Sequence, residues 1–160
     1  MARLCESNPE AIAQFADLGA LPQPFGDAEP PSEGEDTEQW SIGLGPEART
    51  VAWEWSDDEW LRSQDGSPHE WLVEGEEFAS VTTDVVLVLF ANERSAGYVD
   101  TVGSPVFDYD VIGGGEFLLA ADGAITTGTW RRDSLIADWE LATEDGTIVG
   151  VPDGRLWVMV

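Results

Sequence analysis

From Trp40 to Val160 apolar and polar residues alternate in short runs. Val51, Trp53 and Trp55 fall on one side of such a run and Ala52 and Glu54 on the other, the period of a half-buried strand. Ser56-Asp57-Asp58 turns the chain into Trp60-Leu61-Arg62, and Gln64-Asp65-Gly66-Ser67-Pro68 turns it again. The run Val85-Val86-Leu87-Val88-Leu89-Phe90 is continuously apolar and predicts a strand buried on both faces. Asp122-Gly123 separates Phe117-Leu118-Leu119-Ala120 from the run Ile125 to Trp130, a strong two-residue hairpin signal. Asp145-Gly146 and Asp153-Gly154 mark two more reversals before a last strand, Leu156 to Val160. The fold class this predicts is mainly β: a compact antiparallel sandwich or part-barrel of short strands with one N-terminal helix.

That helix is expected over residues 9–20. Asn8 can cap it, Pro9 suits its first position, and Glu10 favours the positive end of its dipole. Ile12, Phe15 and Ala16 share a face, and Gly19 supplies a stop. Residues 22–39 are rich in proline and carboxylates and predict an extended, hydrated linker rather than core. The expected organisation is therefore a helix within 1–21, an acidic linker over 22–39 and a β domain over 40–160.

Charge sharpens this picture by exclusion. Seven arginines and no lysine face 32 carboxylates, for a net charge of -25. The excess runs along the whole chain, so phosphate backbones are repelled and no nucleic-acid partner is expected. No apolar run approaches the ~18 residues of a membrane span. An evenly acidic surface is the composition of a salt-adapted protein, in which dissolved ions screen self-repulsion.

Candidate chemistry is thin. A single cysteine, Cys5, and a single histidine, His69, cannot supply a zinc site or an internal disulfide, and no metal or cofactor is expected. His69 sits in an apparent turn and reads as exposed there. The Gly113-Gly114-Gly115 run precedes a strand rather than a helix N-terminus, so it is not a phosphate loop. Carboxylate pairs for glycoside hydrolysis are inevitable among so many acidic groups and carry no specificity. Eight tryptophans offer two readings. Trp53, Trp55, Trp130 and Trp157 fill a small β core, or exposed tryptophans stack on sugar rings. With cations so scarce, Arg62, Arg131 and Arg132 are expected to pair with local carboxylates. The alternative is ligand anchoring. Arg62, Trp130, Arg131 and Trp157 are the candidate ligand or interaction residues.

Gly128-Thr129-Trp130-Arg131-Arg132, Asp145-Gly146 and Pro152-Asp153-Gly154-Arg155-Leu156-Trp157-Val158 together resemble the C-terminal domain of the YerB-like family, a bacterial domain of unknown function. Val51 to Trp55, Trp60 to Gln64 and Gly66-Ser67-Pro68-His69 resemble its first hairpin, and Gly97-Tyr98-Val99-Asp100 its following loop. Asp84 stands where the family carries asparagine. The likeness covers roughly residues 40–160. The resemblance implies an extracytoplasmic, cell-envelope protein, a noncatalytic accessory or interaction role, and a larger N-terminal α/β domain as partner, of which residues 8–25 match only the final helix. Family members usually carry a secretion or lipoprotein signal, and this chain shows none. A truncated start, or a domain that stands alone, is expected. The partner is that α/β domain or another envelope protein. The competing functions are a glycan- or cell-wall-binding module taking polysaccharide on exposed tryptophans, and a hydrolase using a carboxylate pair.

Overall fold

The computed structural model describes residues 25–26, 28–44, 49–73 and 77–160. The helix expected over 9–20, and with it the unit 1–21, lies outside them. The described residues form sixteen strands: β1 (Glu35–Asp36), β2 (Gln39–Leu44), β3 (Arg49–Ser56), β4 (Glu59–Gln64), β5 (Ser67–Pro68), β6 (Glu70–Leu72), β7 (Phe78–Ser80), β8 (Thr82–Thr83), β9 (Val85–Leu89), β10 (Asn92–Val99), β11 (Pro105–Asp110), β12 (Gly113–Ala121), β13 (Ala124–Arg132), β14 (Glu140–Thr143), β15 (Ile148–Val149) and β16 (Leu156–Met159). The described residues are mainly β, in several sheets.

The larger sheet has the order β15-β14-β13-β12-β9-β16, with β1 added on β13. The smaller has the order β2-β3-β4-β5, with β8 also on β4. Alternation in β9 decides how they meet. Val86 and Val88 point toward the smaller sheet and pack with Val51, Trp53, Trp60 and Ala120. Val85, Leu87 and Leu89 point the other way, into a second core with Phe117, Leu119, Trp130 and Leu141. All five β9 side chains are buried, as the continuous apolar run predicts. The run stops one residue sooner than expected. Phe90 is exposed; its N–H donates to Glu116 O, where β12 departs from β9.

The tight turns follow from residues that tolerate the left-handed region. Asp57 and Asp58, at φ 53 and 63, close the β3–β4 hairpin, and Asp122 with Gly123, at φ 49 and 74, closes β12–β13. Positive φ at both central residues matches the right-handed twist of the flanking strands. Asp153-Gly154 does something different. Instead of reversing into an antiparallel neighbour, the chain returns beside β9 so that β16 runs parallel to it, Leu156 opposite Val85 and Met159 opposite Val88. The wholly antiparallel expectation is corrected at that edge.

The described part of the segment 22–39, residues 25–26 and 28–39, departs from the expectation of a hydrated linker with no share in the core. Phe25 is 6% exposed and packs against Trp139 on the second core. Further on, Gly150 N–H donates to Glu29 O, Thr126 Oγ1 donates to Glu33 O, and β1 pairs with Ile125 and Ala124. Proline and carboxylate content keeps the strap extended and wet on its outer side; a single aromatic and its backbone hydrogen bonds dock it.

Gly128 sits where β13 passes β14 so closely that an added Cβ would collide with the Ala142 carbonyl and the Phe117 ring. Gly128→Ala is expected to destabilise the domain by about 2 kcal/mol through overpacking. Gly43→Ala in β2, where a Cβ meets open space, is expected to be near neutral. Urea unfolding of the two variants checks this; equal midpoints would contradict the packing assigned to β13 and β14.

Candidate functional site

Strand β4 alternates inward at Trp60 and Arg62. Its second inward position therefore holds a guanidinium where the pattern favours an apolar side chain. Arg62 is 8% exposed, and its guanidinium carbon lies 5.3 Å from the centre of the Trp157 ring. Nη1 donates to His69 Nδ1 at 2.5 Å and Nη2 donates to Gln64 Oε1 at 3.1 Å. Nε finds no hydrogen-bond partner among the described residues. Among the described residues no carboxylate pairs with Arg62, contrary to the expectation of a local ion pair. Burial pulls its pKa below the ordinary arginine value, because a desolvated cation is disfavoured.

His69 belongs to this cluster. It is not the exposed turn residue expected; it is half-buried, with its ring edge-on to Trp157 at 6.4 Å. Its backbone N–H donates to Arg62 O, and its own carbonyl accepts from Val81 N–H, which ties it to the edge of the smaller sheet. A guanidinium only donates, so Nδ1 accepts and the ring proton sits on Nε2.

Trp157 passes the contact inward. It meets Trp53 edge-on at 5.6 Å; Trp53 stacks on Trp40, Trp40 meets Trp60, and Trp60 packs on Trp55. Arg62 therefore caps a string of five tryptophans between the sheets. The opposite core repeats the device with Trp130 and Trp139 at 5.0 Å and Arg132 4.7 Å over Trp139. Trp130 Nε1 donates to Phe90 O.

The structure thus brings two of the four candidate residues, Arg62 and Trp157, together and separates the rest. Trp130 is buried in the other core. Arg131, next to it in β13, points to solvent and pairs with Asp133, both side chains about 70% exposed (69% and 71%). Such a surface pair contributes at most about 1 kcal/mol.

Sequence reasoning missed the ion cluster on Arg155. Its Nη2 donates to Asp84 Oδ1 at 2.9 Å and to Glu59, its Nε reaches Asp84 Oδ2 at 3.3 Å, and its backbone N–H donates to the same oxygen at 2.6 Å. Its carbonyl accepts from Thr83 Oγ1 and from the Asp84 and Val85 amides. Side-chain and backbone hydrogen bonds from Arg155 hold the Asp84 carboxyl below the usual carboxylate range, and Asp84 and Glu59 together raise the arginine. The available signal was Asp84 itself, an acid directly before the apolar run Val85–Leu89.

An open groove of about 690 Å³ runs between the strap and β13–β15, rimmed by Glu29, Glu33, Glu35, Glu144 and Asp145. Among the described residues no group of three or more His, Cys, Asp or Glu is placed to hold a metal ion. No helix among them is long and apolar enough to cross a membrane.

This arrangement of sheets belongs to a recognised class. The chain is a member of the family described as "Protein of unknown function (DUF3048) C-terminal domain", whose model matches residues 42–158. It is a YerB-like C-terminal domain of unknown function. It is similar to the crystal structure of YerB protein from Bacillus subtilis, with a TM-score of 0.58 and 17% identity over 84% of this chain and 43% of that one. At that identity the likeness shows the fold alone, and the chain spans less than half of that protein. No curated protein matches.

Two outcomes are expected from this geometry. Arg62→Ala leaves a void and strands His69 and Gln64, whereas Arg62→Met keeps the stem over Trp157; Met is expected to cost at least about 1 kcal/mol less than Ala. Equal losses in denaturant titrations would contradict the packing role. Asp84 has a depressed folded pKa, so its contribution is present above its unfolded value of about 3.9 and is lost as pH falls through the folded one. The stability difference between wild type and Asp84→Asn is therefore expected to hold steady near neutrality and shrink below about pH 4. A difference that stays constant into acid would rule the clamp out.

Proposed function

We propose that this chain is a noncatalytic accessory or interaction domain of a bacterial cell-envelope protein, acting by binding or by supporting a partner α/β domain. The observation that carries the reading is the filling of His69. The chain's one imidazole has its Nδ1 lone pair occupied by Arg62 and its ring packed on Trp157. A general base needs a free lone pair within reach of a substrate proton; this one holds two strands together. The Asp84–Glu59 pair likewise serves Arg155, and the Asp84 shift is opposite to what a general acid needs.

The test is made in the source cell. The protein that carries this chain is expected in the envelope fraction, and Arg62→Met is expected to keep its physiological effect while the fold is retained. Recovery from the cytosol, or loss of the effect at unchanged melting temperature, contradicts the reading.

A second reading, glycan binding, rests on Trp71 at 58% exposure on the β6–β7 hairpin. The register sets Trp71 opposite Ala79, while Phe78 pairs with Leu72 on the other face, so Trp71 stands alone as a platform. Were it a sugar site, soluble cell-wall fragments would shift tryptophan fluorescence in wild type and not in Trp71→Ala; no shift in either is expected.

The acidic surface supports salt adaptation as part of this proposal. The melting temperature is expected to rise by several degrees from dilute buffer to molar potassium chloride, and a flat response would count against it.

A further inference from the structure

Among the described residues, strands β10 and β11 pair with each other and with no other strand. They form a two-stranded arm that lies between β9 and β12 in the chain, and two-stranded ribbons are marginal in water without a covering partner. Among the described residues each arm strand keeps one unpaired edge, the feature onto which an extended chain adds.

The two faces at the β11 edge differ in chemistry. Phe107 and Tyr109 share one face with Val99, which pairs across to Pro105; they are 51%, 45% and 59% exposed. The opposite face carries Asp108 and Asp110. Arg94 neutralises Asp108 at 2.9 Å, and Asp110 stands opposite Asn92, with no cation across from it. A strand laid along this edge would set alternate side chains against aromatic rings and against carboxylates.

From this juxtaposition we infer that the β11 edge is a docking site for an extended segment of a basic protein partner, one that alternates apolar residues with arginine or lysine. The apolar residues cover Phe107 and Tyr109, the cations meet Asp108 and Asp110, and cations at the rim face the aromatic rings. Charge decides against a second copy of this chain. Each copy carries -25, and a β11–β11 pairing would bring Asp108 and Asp110 of one copy toward those of the other. A basic partner is drawn in by the same field. The inference rests on the interaction-domain reading and gives it a surface and a partner chemistry.

The test uses the full chain and two end-capped decapeptides of equal charge, one alternating Arg and Val, the other alternating Arg and Gly. Wild type is expected to bind the Arg–Val peptide about tenfold more tightly than the Arg–Gly peptide, and the variant Phe107→Ser/Tyr109→Ser, whose charge is unchanged, to lose that preference. Asp110→Asn should weaken binding of the Arg–Val peptide while keeping some preference for it. Because the arm lies outside both cores, the melting temperature of each variant is expected to stay near that of wild type, which separates loss of binding from loss of fold. Equal binding of the two peptides by wild type, or an undiminished preference in the double variant, overturns the assignment. A concentration-dependent dimer abolished by the double variant overturns it as well, in favour of a second copy. If the peptide preference is absent while the protein still fractionates with the envelope, the arm fails and the interaction-domain reading stands.

Discussion

Strand β9 is where the structure's constraints converge. Its five residues point alternately into the two cores and are buried in both, and its backbone is paired on one edge by β12 and on the other by β16. A strand in that position can carry neither a polar side chain nor a free edge, which accounts for the unbroken Val85–Leu89 run. Burial of Val and Leu side chains contributes roughly 1.5–3 kcal/mol each. The parallel partner β16 arrives by a loop from β15 at the far edge of the sheet. Arg155 secures it there, bonding Asp84 at the head of β9 and Glu59 in the other sheet.

The chain uses its few cations in the same manner elsewhere. Arg62 caps the tryptophan string between the sheets, and Arg132 caps the Trp130–Trp139 pair on the opposite core. In a chain with 32 carboxylates, planar guanidinium groups that stack on indoles add cohesion without depending on an acidic neighbour. The polar groups that the sequence offers as chemistry thereby become joints between strands.

Much of the fold was legible because turn chemistry and alternation are local. Asp-Gly pairs, the β9 run and the inward tryptophans of β3 and β13 all speak through neighbours in sequence. What escaped depends on residues far apart in the chain. Nothing local to Asp153-Gly154 distinguishes a hairpin from a return beside β9, and β16 is held by an acid 71 residues away. Phe25 looked like part of a linker because its neighbours are proline and carboxylate; its burial depends on Trp139. Of the candidate site, the meeting of Arg62 with Trp157 was not visible, nor was His69 between them, because β4 and β16 lie in different sheets. Trp130 and Arg131 are adjacent in sequence, and alternation alone separates them.

The central claim is that the domain is organised around β9, with its reactive-looking side chains acting as packing joints and the β10–β11 arm standing outside that frame. Native-state hydrogen exchange tests this most directly. The amides of β9 and their partners in β12 and β16 are predicted to exchange slowest, at the rate of global unfolding, while those of β10 and β11 exchange orders of magnitude faster. Exchange in β9 as fast as in the arm would contradict the account.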